Sequence, residues 1–335
     1  MKLNKKNTLK VGGLLTVGIL TLSACGGNES EATAGTGSGE MPAVTIAIPP
    51  SIHGLGPATA YQEGLFEEAG IEVSIETIQS GSEGAALIAG GDAQFALFSY
   101  DNAINSVIEG HNNVMTIPIT TQDAELSSDP HAAGSIVVDA NGDIESLQDL
   151  EGQRIGTSVL GGEAYLNAYQ VLENEGVDVS TIEWIQVPGP QHVSSVLQGQ
   201  VAAAVTPEPN LSIAMVDGSV RPIAAVSGAL PNAPSFGFAS DRTWAEENPE
   251  VIEVVRDVIF EVNTRLNNDP ALVAESIKEY MGLDDEVAEM VKAPRFAEEP
   301  LSVEILEPIA ARLVAFNQIS ENEMPNLEEV IFSAE

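Results

Sequence analysis

Cysteine is almost absent from this sequence: one residue, Cys25, in 335. An internal disulfide and a Cys-x-x-Cys metal or redox pair are thereby excluded. Basic residues are nearly as scarce, 13 Lys+Arg against 50 Asp+Glu, for a formal charge of −37. Four of the 13 (Lys2, Lys5, Lys6, Lys10) fall in the first ten positions, and without them nine against fifty leaves −41. Such a body repels phosphate backbones and anionic headgroups, which sets aside nucleic acid and polybasic membrane binding. The acids are spread along the whole chain, a pattern that suits solvation in a salty or alkaline medium. Aromatics make up 5%, and Gly (30) with Pro (19) is ordinary, so collagen-like and low-complexity classes are excluded. The four histidines (His53, His111, His131, His192) form no HxH or HxxxH pair, and no G-x-S-x-G occurs. No metal, cofactor or catalytic nucleophile is expected. What remains is 44% apolar content, enough for a packed core on a length that predicts about two domains.

The first 25 residues carry the sharpest local pattern. Four lysines precede the apolar run Val11–Leu20, too short for the about 20 residues that cross a bilayer. Leu22-Ser-Ala-Cys25 follows, with small residues where a signal peptidase reads. It resembles the bacterial lipobox. The resemblance implies a signal peptide over 1–24, lipidation (palmitate) of Cys25, and a lipoprotein held at the extracytoplasmic face of the cell membrane. Residues 26–40, GGNESEATAGTGSGE, hold no apolar side chain beyond Ala. With Cys25 they are read as a lipidated, flexible tether (25–40) whose r.m.s. span is about 20 Å.

From Ala43 onward short strands alternate with helices. Strands are predicted at Val44–Ile48, Ile71–Ile78, Phe95–Phe98 and Val114–Thr120, with Pro57 at the first position of a helix. A second series begins at Ser135–Val138 and continues through Arg154–Thr157, the turn Gly161-Gly162 and a helix Glu163–Asn174. Strands at Trp184–Val187, Val201–Val205 and Ile223–Val226 are separated by helices Gln191–Leu197 and Pro209–Met215. Beyond Asp241 the texture turns helical: Val251, Val254, Val255, Val258, Ile259 and Val262 recur at helical spacing, as do Ile305, Leu306, Ile309, Leu313 and Phe316. Pro308 either begins that last helix or kinks it. The repetition predicts an α/β fold with largely parallel sheets.

Three stretches then carry a resemblance. Gln62-Glu-Gly-Leu-Phe-Glu-Glu-Ala-Gly-Ile-Glu-Val73 runs on to Ser80-Gly-Ser82 and Leu87-Ile-Ala-Gly-Gly-Asp-Ala-Gln-Phe95. Asp149-Leu-Glu-Gly-Gln-Arg-Ile-Gly-Thr157 and Leu197-Gln-Gly-Gln-Val-Ala-Ala-Ala-Val-Thr-Pro-Glu-Pro209 follow in order. Together they resemble the nitrate/sulfonate/taurine and thiamine-pyrimidine family of ABC-transporter solute-binding proteins, with Ala203 where the family usually has Asp. The resemblance implies a type II periplasmic-binding-protein fold: two lobes, each a mostly parallel sheet flanked by helices, closing on a ligand about a hinge. The expected boundaries are 41–122 for the first part of lobe one, 123–226 for lobe two, and 227–335 for the return to lobe one and the C-terminal helices. Hinge candidates are Thr120–Asp123 and Val226–Gly228. The implied partners are a small nitrogen- or sulfur-containing molecule and an ABC permease with its ATPase, the chain itself being a non-enzymatic monomer. A metabolite-processing enzyme on the same fold and a ligand-sensing lipoprotein without transport are the alternatives.

In open α/β sheets ligands sit beyond the C-terminal strand ends. That rule selects His53, Ser80, Ser99, Tyr100 and Thr121 in lobe one, and Gly162, Glu163 and Glu208 in lobe two. The serines equally suit helix N-caps, and Glu163 equally complements a helix dipole. Glu208 lies between two prolines after a strand, which fixes its direction. No Lys or Arg occurs between Met41 and Gln153. The expected ligand is therefore neutral or amine-bearing, such as an aminopyrimidine, with Glu163 or Glu208 as counter-charge.

Overall fold

A computed structural model describes residues 41–122, 128–300 and 302–333. The expected signal peptide (1–24) and the expected lipidated tether with Cys25 (25–40) lie outside the described residues, as does Asp123 of the first hinge candidate. The chain begins with β1 (Ala43–Ile48), α1 (Leu55–Gln62), α2 (Leu65–Glu68), β2 (Glu72–Thr77), α3 (Gly81–Gly90), β3 (Phe95–Ser99), α4 (Tyr100–Ile108) and β4 (Asn113–Thr121). It continues with β5 (Gly134–Asp139), β6 (Arg154–Thr157), α5 (Glu163–Asn174), β7 (Glu183–Gln186), α6 (His192–Leu197), β8 (Ala203–Pro207), α7 (Asn210–Val216) and β9 (Val220–Ala225). Last come β10 (Pro234–Asp241), α8 (Arg242–Glu247), α9 (Pro249–Asn268), α10 (Pro270–Met281), α11 (Asp285–Met290), β11 (Arg295–Phe296) and α12 (Glu307–Ala315).

Two sheets result, ordered β11-β4-β10-β3-β1-β2 and β7-β6-β8-β5-β9. The first belongs to lobe one and the second to lobe two. β3 (Phe95, Ala96, Leu97, Phe98, Ser99) is buried along its whole length, the mark of a central strand covered on both faces. β2 pairs along one edge only, with β1, and turns Glu72 and Glu76 to solvent, charges that discourage further pairing.

The sheets are more mixed than the expected largely parallel arrangement. β1, β2 and β3 pair in parallel, but β10 runs antiparallel between β3 and β4. In lobe two β5 runs antiparallel to β8 and β9, while β6 pairs in parallel with β7 and β8. Both reversed strands follow a crossing between the lobes, which brings the chain into the new sheet from the opposite end. β10 has no counterpart in the sequence reading, because Pro234, Ser235 and Gly237 dilute its alternation of Phe236 and Phe238. Gly237 is there for space: a Cβ on it would lie 2.4 Å from the Tyr100 hydroxyl and 2.9 Å from the Ile117 carbonyl oxygen. A further difference is at α1, which starts two residues before Pro57, after a 3-10 turn over Ile52–Gly54. Pro308 lies in the first turn of α12 and begins that helix.

The lobes share part of their core. Leu166 of α5, from lobe two, is buried with Leu306, Ile309 and Leu313 around α12 of lobe one. Tyr169 and Phe316 extend that contact, ring centroids 4.4 Å apart.

Candidate functional site

The strand ends of the two lobes converge on one small cavity. From lobe one come His53, in the turn after β1, Thr121 at the end of β4, Gln122, Ser235 at the start of β10, and Pro294. From lobe two come Gly134, Pro207 and the first turns of α5, with Glu163 and Asn167. The space is about 60 Å³, far below the about 300–1,000 Å³ of ordinary ligand pockets. This is a closed arrangement of the lobes. A wider groove of about 920 Å³ lies among α9, α10 and α11 beyond Pro294. It is a surface feature away from most of the strand ends, and two of its cations are engaged, Lys278 with Asp285 and Arg295 with Glu298.

Glu163 dominates the cavity. Its Oε1 accepts a hydrogen bond from Ser235 Oγ (2.6 Å) and another from Gln122 Nε2 (3.3 Å). Burial pushes its carboxyl up to about 7, the negative charge of Asp101 adding to the effect and the Ser235 hydrogen bond and Arg312 opposing it. Across the cavity His53 shares a hydrogen bond between Nδ1 and Thr120 Oγ1 (2.9 Å) and stacks on Phe236, centroids 4.1 Å apart at 27°. Burial lowers its imidazole to about 3, so the ring is neutral at any ordinary pH. Gln122 is clamped by its own backbone and side chain: its Oε1 accepts from Leu230 N (2.8 Å), and its N–H donates to Ala233 O (2.9 Å). Ser227 Oγ is buried against the cavity with no protein partner.

Behind Glu163 lies a second polar layer. Asn167 Oδ1 accepts from Gln122 Nε2 (3.4 Å) and from Arg312 Nη1. Arg312 Nη2 donates to Asp101 Oδ1 (2.8 Å), and both side chains are buried. Desolvation raises Asp101 and its ion pair with Arg312 opposes that rise.

Of the residues selected from sequence, His53, Thr121 and Glu163 line the cavity. Gly162 is the buried N-cap of α5, one residue before Glu163. Ser80 and Ser99 cap α3 and α4, accepting from Glu83 N and Asn102 N. Tyr100 is fully buried in the core of lobe one, its hydroxyl against Gly237. Glu208 is buried and engaged within the protein: it accepts from Ser212 N (3.0 Å), Ser212 Oγ (2.8 Å), Lys292 N (3.3 Å) and, at 3.0 Å, faces His131 Nε2. Residues the sequence reading did not single out are Arg312, Asn167 and Ser235. Arg312 had a signal, being the lone charge on the apolar stripe Ile305, Ile309, Leu313 and Phe316 of a helix. Among the described residues no group of three or more His, Cys, Asp or Glu is placed to hold a metal.

The family model described as NMT1/THI5 like matches residues 55–261, more than half of the chain. The chain belongs to the NMT1/THI5-like family. The match begins at Leu55, just after the turn that carries His53, and takes in both crossings between the lobes and most of α9. No curated protein matches this NMT1/THI5-like chain in sequence. Among solved structures, the alkanesulfonate-binding protein SsuA from Xanthomonas axonopodis pv. citri, bound to MOPS, is similar at 19% identity. The alignment covers 87% of this chain and 98% of that one, with a TM-score of 0.72. The periplasmic aliphatic sulphonate binding protein SsuA from Escherichia coli is similar at 19% identity, over 87% and 97% of the chains, with a TM-score of 0.71. The ligand-binding component of an ABC-type import system from Staphylococcus aureus, with zinc bound, is similar at 9% identity. It covers 87% and 96% of the chains with a TM-score of 0.74. Identities this low carry the fold, and the fold is the two-lobed type II periplasmic-binding-protein architecture. Among the described residues no helix is long and apolar enough to cross a membrane.

Proposed function

We propose that this protein is a lipid-anchored, extracytoplasmic receptor that captures a small solute between its lobes and hands it to an ABC permease with its ATPase. It performs no chemistry on the solute and acts as a monomer. Family membership and the binding proteins among its structural neighbours support the receptor role. The lipobox around Cys25 supports the anchor.

The ligand we propose is neutral or amine-bearing, with an aminopyrimidine as the type. One observation carries this: among the described residues, the only ionisable side chains lining the cavity are Glu163 and a neutral His53, with no Lys or Arg. The sulfonate and alkanesulfonate named for the relatives belong to those proteins; here an anion would face Glu163. The hydroxyl of Ser227 supplies a polar contact, and the His53 ring, backed by Phe236, offers a rigid flat wall. Glu208 is spoken for by four donors, so the counter-charge is assigned to Glu163. Mass spectrometry of the small molecule released from the purified protein tests this. A nitrogen base is expected, and a sulfonate or nitrate would overturn it.

A further inference from the structure

We infer that the buried Asp101–Arg312 pair is the specificity-determining element behind the cleft. With Glu163 it forms a cluster of two carboxyls and one guanidinium, which becomes neutral only by taking up one positive charge. That charge is a proton or the cationic head of a ligand. The inference rests on the receptor reading and names what sets its ligand charge.

The geometry is a chain of hydrogen bonds without a spare cation. Arg312 is 3% exposed and Asp101 2%. The guanidinium gives Nη2 to Asp101 Oδ1 at 2.8 Å and Nη1 to Asn167 Oδ1, and its Nε has no partner. Between it and Glu163 stand only neutral groups: the Asn167 amide and the Gln122 amide, the latter 3.3 Å from Glu163 Oε1. On the other side Glu163 meets the Ser235 hydroxyl at 2.6 Å. Among the described residues the charged or titratable groups facing Glu163 are Asp101 from α4, Arg312 from α12, and His53, which burial keeps neutral. Arg312 is consumed by Asp101, so an ionised Glu163 leaves one unbalanced negative charge in a desolvated place. Such a charge is costly and recruits a counter-ion. Asp101 raises the Glu163 carboxyl and Arg312 lowers it, so each member of the pair tunes it in the opposite sense.

That opposition supplies the test, in the ligand-free protein. The titration of Glu163 is followed by its infrared carboxyl band, identified by subtraction of Glu163→Gln. Asp101→Asn is expected to move the midpoint down by about one pH unit or more, and Arg312→Gln to move it up. The double variant Asp101→Asn/Arg312→Gln removes a neutral pair and is expected to return the midpoint toward that of the unaltered protein, which keeps the test available if Arg312→Gln alone does not fold. In Asp101→Asn the preference for 4-aminopyrimidine over ethanesulfonate narrows about tenfold, the equivalent of one pH unit. A purely structural pair would shift both single variants the same way or neither, and either result overturns the inference. Opposite shifts without any binding of 4-aminopyrimidine would overturn the receptor reading instead.

Discussion

His53 and Glu163 face the same cavity with opposite proton preferences, and the consequences for stability have opposite signs. Glu163 titrates about 7 in the folded chain against an ordinary 4.5. The folded state therefore holds a proton that the unfolded state has lost, and stability falls as pH rises from about 4.5 to 7. His53 titrates near 3 against an ordinary 6.5, so the unfolded state holds the extra proton and stability rises as pH climbs through about 3 to 6.5. Between about 4.5 and 6.5 the two cancel. Thermal melts across that window are expected to show His53→Gln losing stability with rising pH and Glu163→Gln gaining it. Parallel slopes in the two variants would contradict the assignment. Arg312→Met strands the buried Asp101 carboxyl and is expected to cost about 3–5 kcal/mol in denaturant unfolding. At this scale the strand-end rule reaches His53, Thr121 and Glu163, because a loop after a strand is visible in local sequence. Arg312 is distant in sequence from Asp101 and Asn167, and no local pattern tells that α12 packs beside α4 and α5.

Most elements are legible because each has its own periodicity; the strands of lobe two alternate with helices at the spacing that βα units demand. β10 is an exception, and its composition explains why. A central strand with Gly237 and Ser235 lacks the branched residues that mark strands, since Tyr100 and the Ile117 carbonyl occupy the space a side chain would take. Gly237→Ala is expected to lower stability by about 3 kcal/mol, as overpacking against backbone does at its upper range, measured by urea unfolding. α7 makes a second case. Its first turn is held by Glu208, which also accepts from the Lys292 amide of the segment leading to β11. Glu208→Ala leaves those donors bare and is expected to cost about 1–3 kcal/mol. The variant keeps the charge of the cavity, so the infrared titration of Glu163 stays where it is.

At the scale of the described chain, the passages from β4 to β5 and from β9 to β10 lead from one sheet to the other, and the cavity between the lobes is about 60 Å³. A solute of ordinary size enters only if the lobes part, so the ligand-free protein is expected to open in solution, and small-angle scattering to show a smaller radius of gyration with ligand than without. The proposed anchoring is tested separately: Cys25→Ala is expected to release the folded protein from washed membranes while its melting temperature stays the same. The extreme acidity, legible in composition alone, says nothing of this local chemistry; the cleft charge depends on which carboxyls the fold brings beside Arg312. The central claim is that the cleft receives a nitrogen base against Glu163. Calorimetry of the purified protein with 4-aminopyrimidine and with ethanesulfonate, repeated on Glu163→Gln, tests it most directly. The account predicts binding of the base that weakens at least about tenfold in Glu163→Gln, one lost charge-assisted hydrogen bond. Tight binding of the sulfonate, undiminished in that variant, would contradict it.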